Sequence, residues 1–200
     1  TALQTTQTLG ISGAGAFTIS DWVSTGALTS TNTGNTDITL VARASGTLAL
    51  GTDTTGTDTV SATALANATT LTMTGSNDAA VSFVDADVIA SAYAGAMTMT
   101  GTGTAGQWTT GTATSSISST GATAIVATAM ADDQTLSTSG AGVSTITGLQ
   151  ANLTDTSSIG QHVTVADVAT ITLALGTNTI GTDTVVATAL TDGDVLTLTG

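Results

Sequence analysis

The side chains in this chain best suited to chemistry are its carboxylates, and all fourteen acids are aspartate. Their most informative spacing is G-T-D-T. It occurs twice, five residues apart, in GTDTTGTDTV, which carries Asp53 and Asp58, and returns as GTNTIGTDTV, with Asn178 in the first place and Asp183 in the second. Short-armed carboxylates on adjacent turns are the oxygen donors a calcium ion takes, so Asp53, Asp58 and Asp183 are the candidate metal ligands and calcium is the one cofactor to expect. The same short arm also bonds backbone N–H groups in turns, which gives every aspartate a purely structural use.

Catalytic constellations are thin. Any Ser-His-Asp arrangement must be built on His162, the only histidine, and no G-x-S-x-G elbow surrounds a serine. Asp85 and Asp87 in VDADV, and the pair Asp132 and Asp133, have the residue type of glycosidase carboxylates but lack nearby sugar-stacking aromatics. There is no phosphate-binding G-x-x-x-x-G-K loop. With no cysteine there is no disulfide framework, thiolate zinc site or cysteine nucleophile. The expectation is a protein that is not an enzyme.

Charge narrows the partners. One basic side chain, Arg43, stands against the fourteen acids for a formal net charge of −13, which excludes phosphate-backbone recognition and attraction to an anionic membrane. No stretch approaches the ~18 apolar residues of a membrane helix, so no membrane insertion is expected.

The elements that must position these residues read as strands. LTMTG, MTMTG, LTLTG and TLALG alternate apolar with polar or small residues and break at glycine, the period-2 signature of short half-buried strands. Threonine, valine and isoleucine are abundant and β-branched, which suits a pleated surface. The Ala-rich phrases ATALA and ATAMA read as tightly packed strands or corners.

The chain also repeats itself. Residues 46–75 match 171–200 at 20 of 30 positions with an offset of 125, and QTLGISGAG at 7–15 matches QTLSTSGAG at 134–142 at seven of nine with an offset of 127. The unit is therefore about 126 residues: 1–127 is repeat unit one, and 128–200 is a partial second unit continuous with the first. A start at Thr and an end in mid-repeat suggest a window on a longer array. Phe17, Trp22, Phe83, Tyr93 and Trp108 are the only aromatics. With so few large rings, and without proline, an all-β parallel β-solenoid of imperfect repeats is favoured over tandem β-sandwich domains. The core should contain Leu48, Leu50, Val60, Leu65, Leu71 and Met73, with their repeat partners Leu173, Leu175, Val185, Leu190, Leu196 and Leu198.

IASAYAGAMTMTG at 89–101 resembles the DASAxTGALTVTG phrase of bacterial surface-layer proteins and giant type I secreted adhesins associated with calcium-binding repeats. STITGLQANLTD at 144–155 is similar to their VTGVExLxLT phrase, and DTVSATAL and DTVVATAL resemble their strand-turn phrases. The resemblance implies an extracellular, cell-surface protein that binds calcium and self-associates. That family's glycine-rich calcium nonapeptide, GGxGxDxUx, is missing from this chain. The expected function is a structural segment of a self-assembling surface layer, sheath or filament. A spacer in a giant adhesin is the alternative, and an ice-binding solenoid, through pairs such as Thr72/Thr74, Thr98/Thr100 and Thr197/Thr199, is a lesser one. The expected partners are further copies of the chain and a cell-surface glycan. Asn67-Ala68-Thr69 and Asn152-Leu153-Thr154 fit the N-glycosylation acceptor.

Overall fold

The computed structural model describes residues 7–22, 26–41, 46–51 and 56–200. Among these the chain is all-β, with twenty strands in two ten-stranded sheets, one holding the odd-numbered and the other the even-numbered strands. The odd sheet runs β1 (Thr8–Gly13), β3 (Ala27–Asn32), β5 (Gly46–Ala49), β7 (Thr70–Gly75), β9 (Asp87–Tyr93), β11 (Gln107–Thr109), β13 (Thr123–Val126), β15 (Ser144–Leu149), β17 (His162–Val165) and β19 (Thr184–Val186). The even sheet runs β2 (Phe17–Trp22), β4 (Thr36–Leu40), β6 (Thr57–Ala62), β8 (Asp78–Phe83), β10 (Met97–Gly101), β12 (Ser115–Ser119), β14 (Thr135–Gly140), β16 (Asn152–Asp155), β18 (Thr170–Ala174) and β20 (Val195–Thr199). Each strand bonds in parallel to the strand two along, never to the next in sequence, so the chain winds as a parallel β-solenoid. Sandwich domains joined by hairpins would pair consecutive strands antiparallel.

Alternation decides which side chains enter. On β10, Met97 and Met99 are buried and Thr98 and Thr100 are exposed, as period 2 requires. Like residues then stack rung upon rung: Leu71, Val88, Trp108, Ile125, Ile146 and Val163 form one inward ladder of the odd sheet. Phe83, Tyr93 and Trp108 are fully buried among the stacked rungs. Coils differ in length, from 17 residues between the register partners Leu71 and Val88 to 25 between Leu48 and Met73. The corners absorb the difference. The ATAL and ATAM phrases are such corners, each plugged by one apolar side chain, Leu65 or Met130, that is buried.

The first six core candidates, Leu48 to Met73, are all buried, and so is Leu173. The expectation fails for Leu198, which is 53% exposed where its repeat partner Met73 is fully buried. Leu175, Val185, Leu190 and Leu196 are partly buried. The cause is position: β19 and β20 are terminal strands of their sheets with a neighbour on one side only.

The duplication has an unexpected geometry. β1 corresponds by sequence to β14, β5 to β18, β6 to β19 and β7 to β20, so each copy lies thirteen strands from the other. Thirteen is odd. Equivalent strands therefore fall on opposite sheets, half a turn round the solenoid and, at ~4.8 Å per coil, about 31 Å along its axis. The ladders run without a break past the repeat boundary at 127/128, since β12 pairs β14 and β13 pairs β15.

Candidate functional site

Of the carboxylates singled out by spacing, Asp58 is the second residue of β6 and Asp183 directly precedes β19. Asp53 lies outside the described residues. Asp58 is 1% exposed. Its Oδ1 accepts the Thr36 backbone N–H at 2.7 Å and its Oδ2 accepts the Asn77 side-chain amide at 3.1 Å. The Tyr93 hydroxyl donates to the Asn77 carbonyl at 2.6 Å. These residues come from four successive coils, so the corner is fastened across coils by side chains as well as by the ladder.

Asp183 repeats the contact. Its Oδ1 accepts the Gln161 N–H at 2.8 Å, and Gln161 is the repeat equivalent of Thr36. The rest of the corner is duplicated too. The Asn32 amide donates to the carbonyls of Gly15 and Gly34 at 2.8 and 2.5 Å, and the Gln161 amide donates to those of Gly142 and Ile159, their equivalents, at 3.4 and 2.5 Å. Different side chains do the same work in the two copies. At the second copy's corner Asp155, also buried, accepts the Thr138 hydroxyl at 2.7 Å together with the N–H and hydroxyl of Ser157.

The structure does not bring the metal candidates together. Asp58 and Asp183 lie on opposite sheets about 31 Å apart along the axis, and each has N–H donors on the oxygens a cation would use. Calcium takes six to eight oxygens, and among the described residues no three His or Asp side chains gather to hold a metal. The described candidates therefore fit cross-coil clamping better than a shared calcium shell. Asp78 accepts from Ala96, Asp85 from Thr104 and Ala105, and Asp87 from Gln107, each a backbone N–H one coil further on. Sequence analysis missed this wider role. The available signal was Asp, Asn or Gln recurring at strand ends roughly one coil apart.

The residues weighed for catalysis are dispersed. His162 is exposed on the outer face of the odd sheet, in register with Thr145 and Thr184. Asp132 and Asp133 border a shallow groove with Asn152 and Thr172, and Asp133 accepts the Gln134 amide at 2.8 Å. The T-x-T pairs do not share a face either: Thr72/Thr74 is on the odd sheet, while Thr98/Thr100 and Thr197/Thr199 are on the even sheet.

Burial, and then the negative charges of Asp58 and Asp78, push the Tyr93 phenol well above its ordinary value. A raised folded-state value means that the folded protein holds the proton more tightly. The resulting stability is present below the unfolded phenol's ~10 and is lost as pH rises above it. Tyr93→Phe is expected to cost about 1 kcal/mol at neutral pH, through the lost bond to Asn77. It should also flatten the fall in stability above pH ~10, as read from urea midpoints across that range. Asp58→Ala strands the Thr36 N–H and the Asn77 amide in the interior and is expected to cost about 3 kcal/mol. Asp183→Ala, at a half-buried site with one such bond, should cost ~1 kcal/mol in the same assay.

Fold and corners together define a β-solenoid whose coils are clamped by acid and amide side chains. No family model, curated protein or solved structure matches the chain.

Proposed function

We propose that this chain is a structural segment of an extracellular protein, a stiff acidic rod that associates with its own kind into a surface layer, sheath or filament. The observation that carries the reading is the clamped corner, built in both copies of the repeat from different side chains, Asn32 in one and Gln161 in the other. Keeping that fastening while its residues drift is what a load-bearing rod requires. Ten strands per sheet at ~4.8 Å give such a rod a length of about 45 Å. Its net charge of −13 keeps free copies apart at low ionic strength and lets salt or divalent cations promote assembly.

Electron microscopy of the native protein in millimolar calcium, and again after chelation, tests the reading. Ordered sheets or filaments are the expected result, and their loss on chelation would make assembly cation-linked. Isolated thin rods in both conditions would favour the adhesin spacer.

A further inference from the structure

We propose that Asp155 and Asn178 hold one small monovalent cation between adjacent coils, for which sodium is the probe. The inference does not depend on the assembly reading above. Asp155 ends β16 and is 3% exposed. Its Oδ1 accepts the Thr138 hydroxyl of the preceding coil at 2.7 Å, the Ser157 N–H at 3.1 Å and the Ser157 hydroxyl. Its Oδ2 is buried and accepts nothing. Asn178 stands in the following coil at the same corner. There a Cβ on Gly176 would lie 2.7 Å from the Asp155 carbonyl oxygen, and the Thr179 N–H bonds the Ser158 carbonyl at 3.0 Å. The Asn178 Oδ1 is likewise buried without a donor. Neighbouring coils therefore each leave one acceptor oxygen inside this corner with nothing to accept, which is costly for an amide and more so for a carboxylate.

Charge selects the ligand. His162, the one side chain among the described residues able to carry positive charge, faces outward on β17, so the buried carboxylate has no counter-charge from it. One monovalent cation neutralises one carboxylate, whereas a divalent ion would leave buried positive charge. Carboxylate and amide oxygens are the donors a hard cation takes. The duplication supplies an independent observation. Residues 28–40 align with 153–165, which makes Ser30 the equivalent of Asp155, and Asp53 is the equivalent of Asn178. Each copy thus carries one acid and one neutral oxygen side chain at this pair, with the acid exchanged between the two positions. Ser30 accepts the Asn32 N–H at 3.2 Å just as Asp155 accepts that of Ser157, so these two positions are structurally equivalent as well; Asp53 lies outside the described residues. A pair that keeps a single negative charge while its members trade places is what a monovalent site requires. The Asp58 clamp differs, because both of its oxygens accept donors.

Urea unfolding of the 200-residue chain in sodium chloride and in choline chloride, both at about 0.1 M so that screening is matched, tests this. Three proteins are compared: wild type, Asp155→Asn, and Asp183→Asn as a control in the β18–β19 connection. A ligand at ten times its Kd raises the folding constant about 10-fold, and that is the gain expected of wild type in sodium. Asp155→Asn keeps the Oδ1 acceptor and removes the charge, so its gain should fall below about 2-fold. Asp183→Asn should gain as wild type does. If Asp155→Asn does not fold, Asn178→Ala replaces it and should show the same loss of response. Equal stability of wild type in the two salts overturns the proposal in favour of a bridging water. A sodium gain that survives in Asp155→Asn, or that Asp183→Asn loses equally, overturns the site. Millimolar calcium that reproduces the sodium gain in choline chloride would make the ion divalent and overturn the charge argument.

Discussion

Leu71→Asp is expected to lower stability by about 4–5 kcal/mol, enough to unfold much of the chain under native conditions. Leu71 is 1% exposed and stands between Gly46 and Val88 in the inward ladder of the odd sheet. A carboxylate there loses its water, gains no partner and gives up the apolar contact with Val88 on the next coil. Moving one residue along reverses the geometry: Thr72 is outward, in register with Thr47 and Ile89. Thr72→Asp should therefore cost ~1 kcal/mol or less. Urea denaturation of both variants reads the contrast. Similar losses in the two would mean that this strand does not alternate as described.

Gly140→Ala should be nearly as damaging, at about 3 kcal/mol or more. Gly140 closes β14 with φ +103°, and a Cβ there would lie 2.1 Å from the backbone oxygen of Ser119 in the coil below. The left-handed backbone suits glycine alone, and the obstacle is main chain, which cannot turn aside as a side chain could. Gly10 in β1 is the matched control, since a Cβ there meets nothing within 4 Å. Gly10→Ala should be neutral or stabilising by a few tenths of a kcal/mol, because it restricts the unfolded chain. Thermal melts of the two variants should separate widely; coincident melts would contradict the close approach of coils at the β14 corner.

Much of the fold was legible in the sequence because a solenoid is written locally. The alternation of LTMTG and MTMTG marked β7 and β10, and the glycine closing each phrase marked where the strand leaves the sheet. Leu48, Leu50, Leu71 and Met73 were readable as core because each lies inside such a phrase. The half-turn between repeats was not legible. It depends on the number of strands in a unit of about 126 residues, and coils of 17 to 25 residues make that count impossible from spacing alone. Leu198 was misplaced for a related reason: its phrase matches that of Met73, but burial comes from the neighbouring coil, which sequence identity does not report.

The site was half legible. G-T-D-T singled out Asp58 and Asp183, and both make cross-coil contacts. The donors they meet, Thr36 and Gln161, each lie 22 residues away, at a distance no local motif encodes. Tyr93 entered the sequence argument only as a scarce aromatic, whereas it fastens the fifth coil to the fourth through Asn77.

The central claim, that successive strands alternate between two parallel sheets so that the repeat returns half a turn away, is tested most directly by paired cysteines. Thr98 and Ser116 are outward register partners on β10 and β12, and neighbouring strands at ~4.8 Å are within disulfide reach. Thr109, on β11, belongs to the opposite sheet. Mild oxidation of the Thr98→Cys/Ser116→Cys variant should give an intramolecular disulfide in high yield, and the Thr98→Cys/Thr109→Cys variant should give none within the molecule. A bond in the second variant and not the first would place consecutive strands side by side and contradict the solenoid.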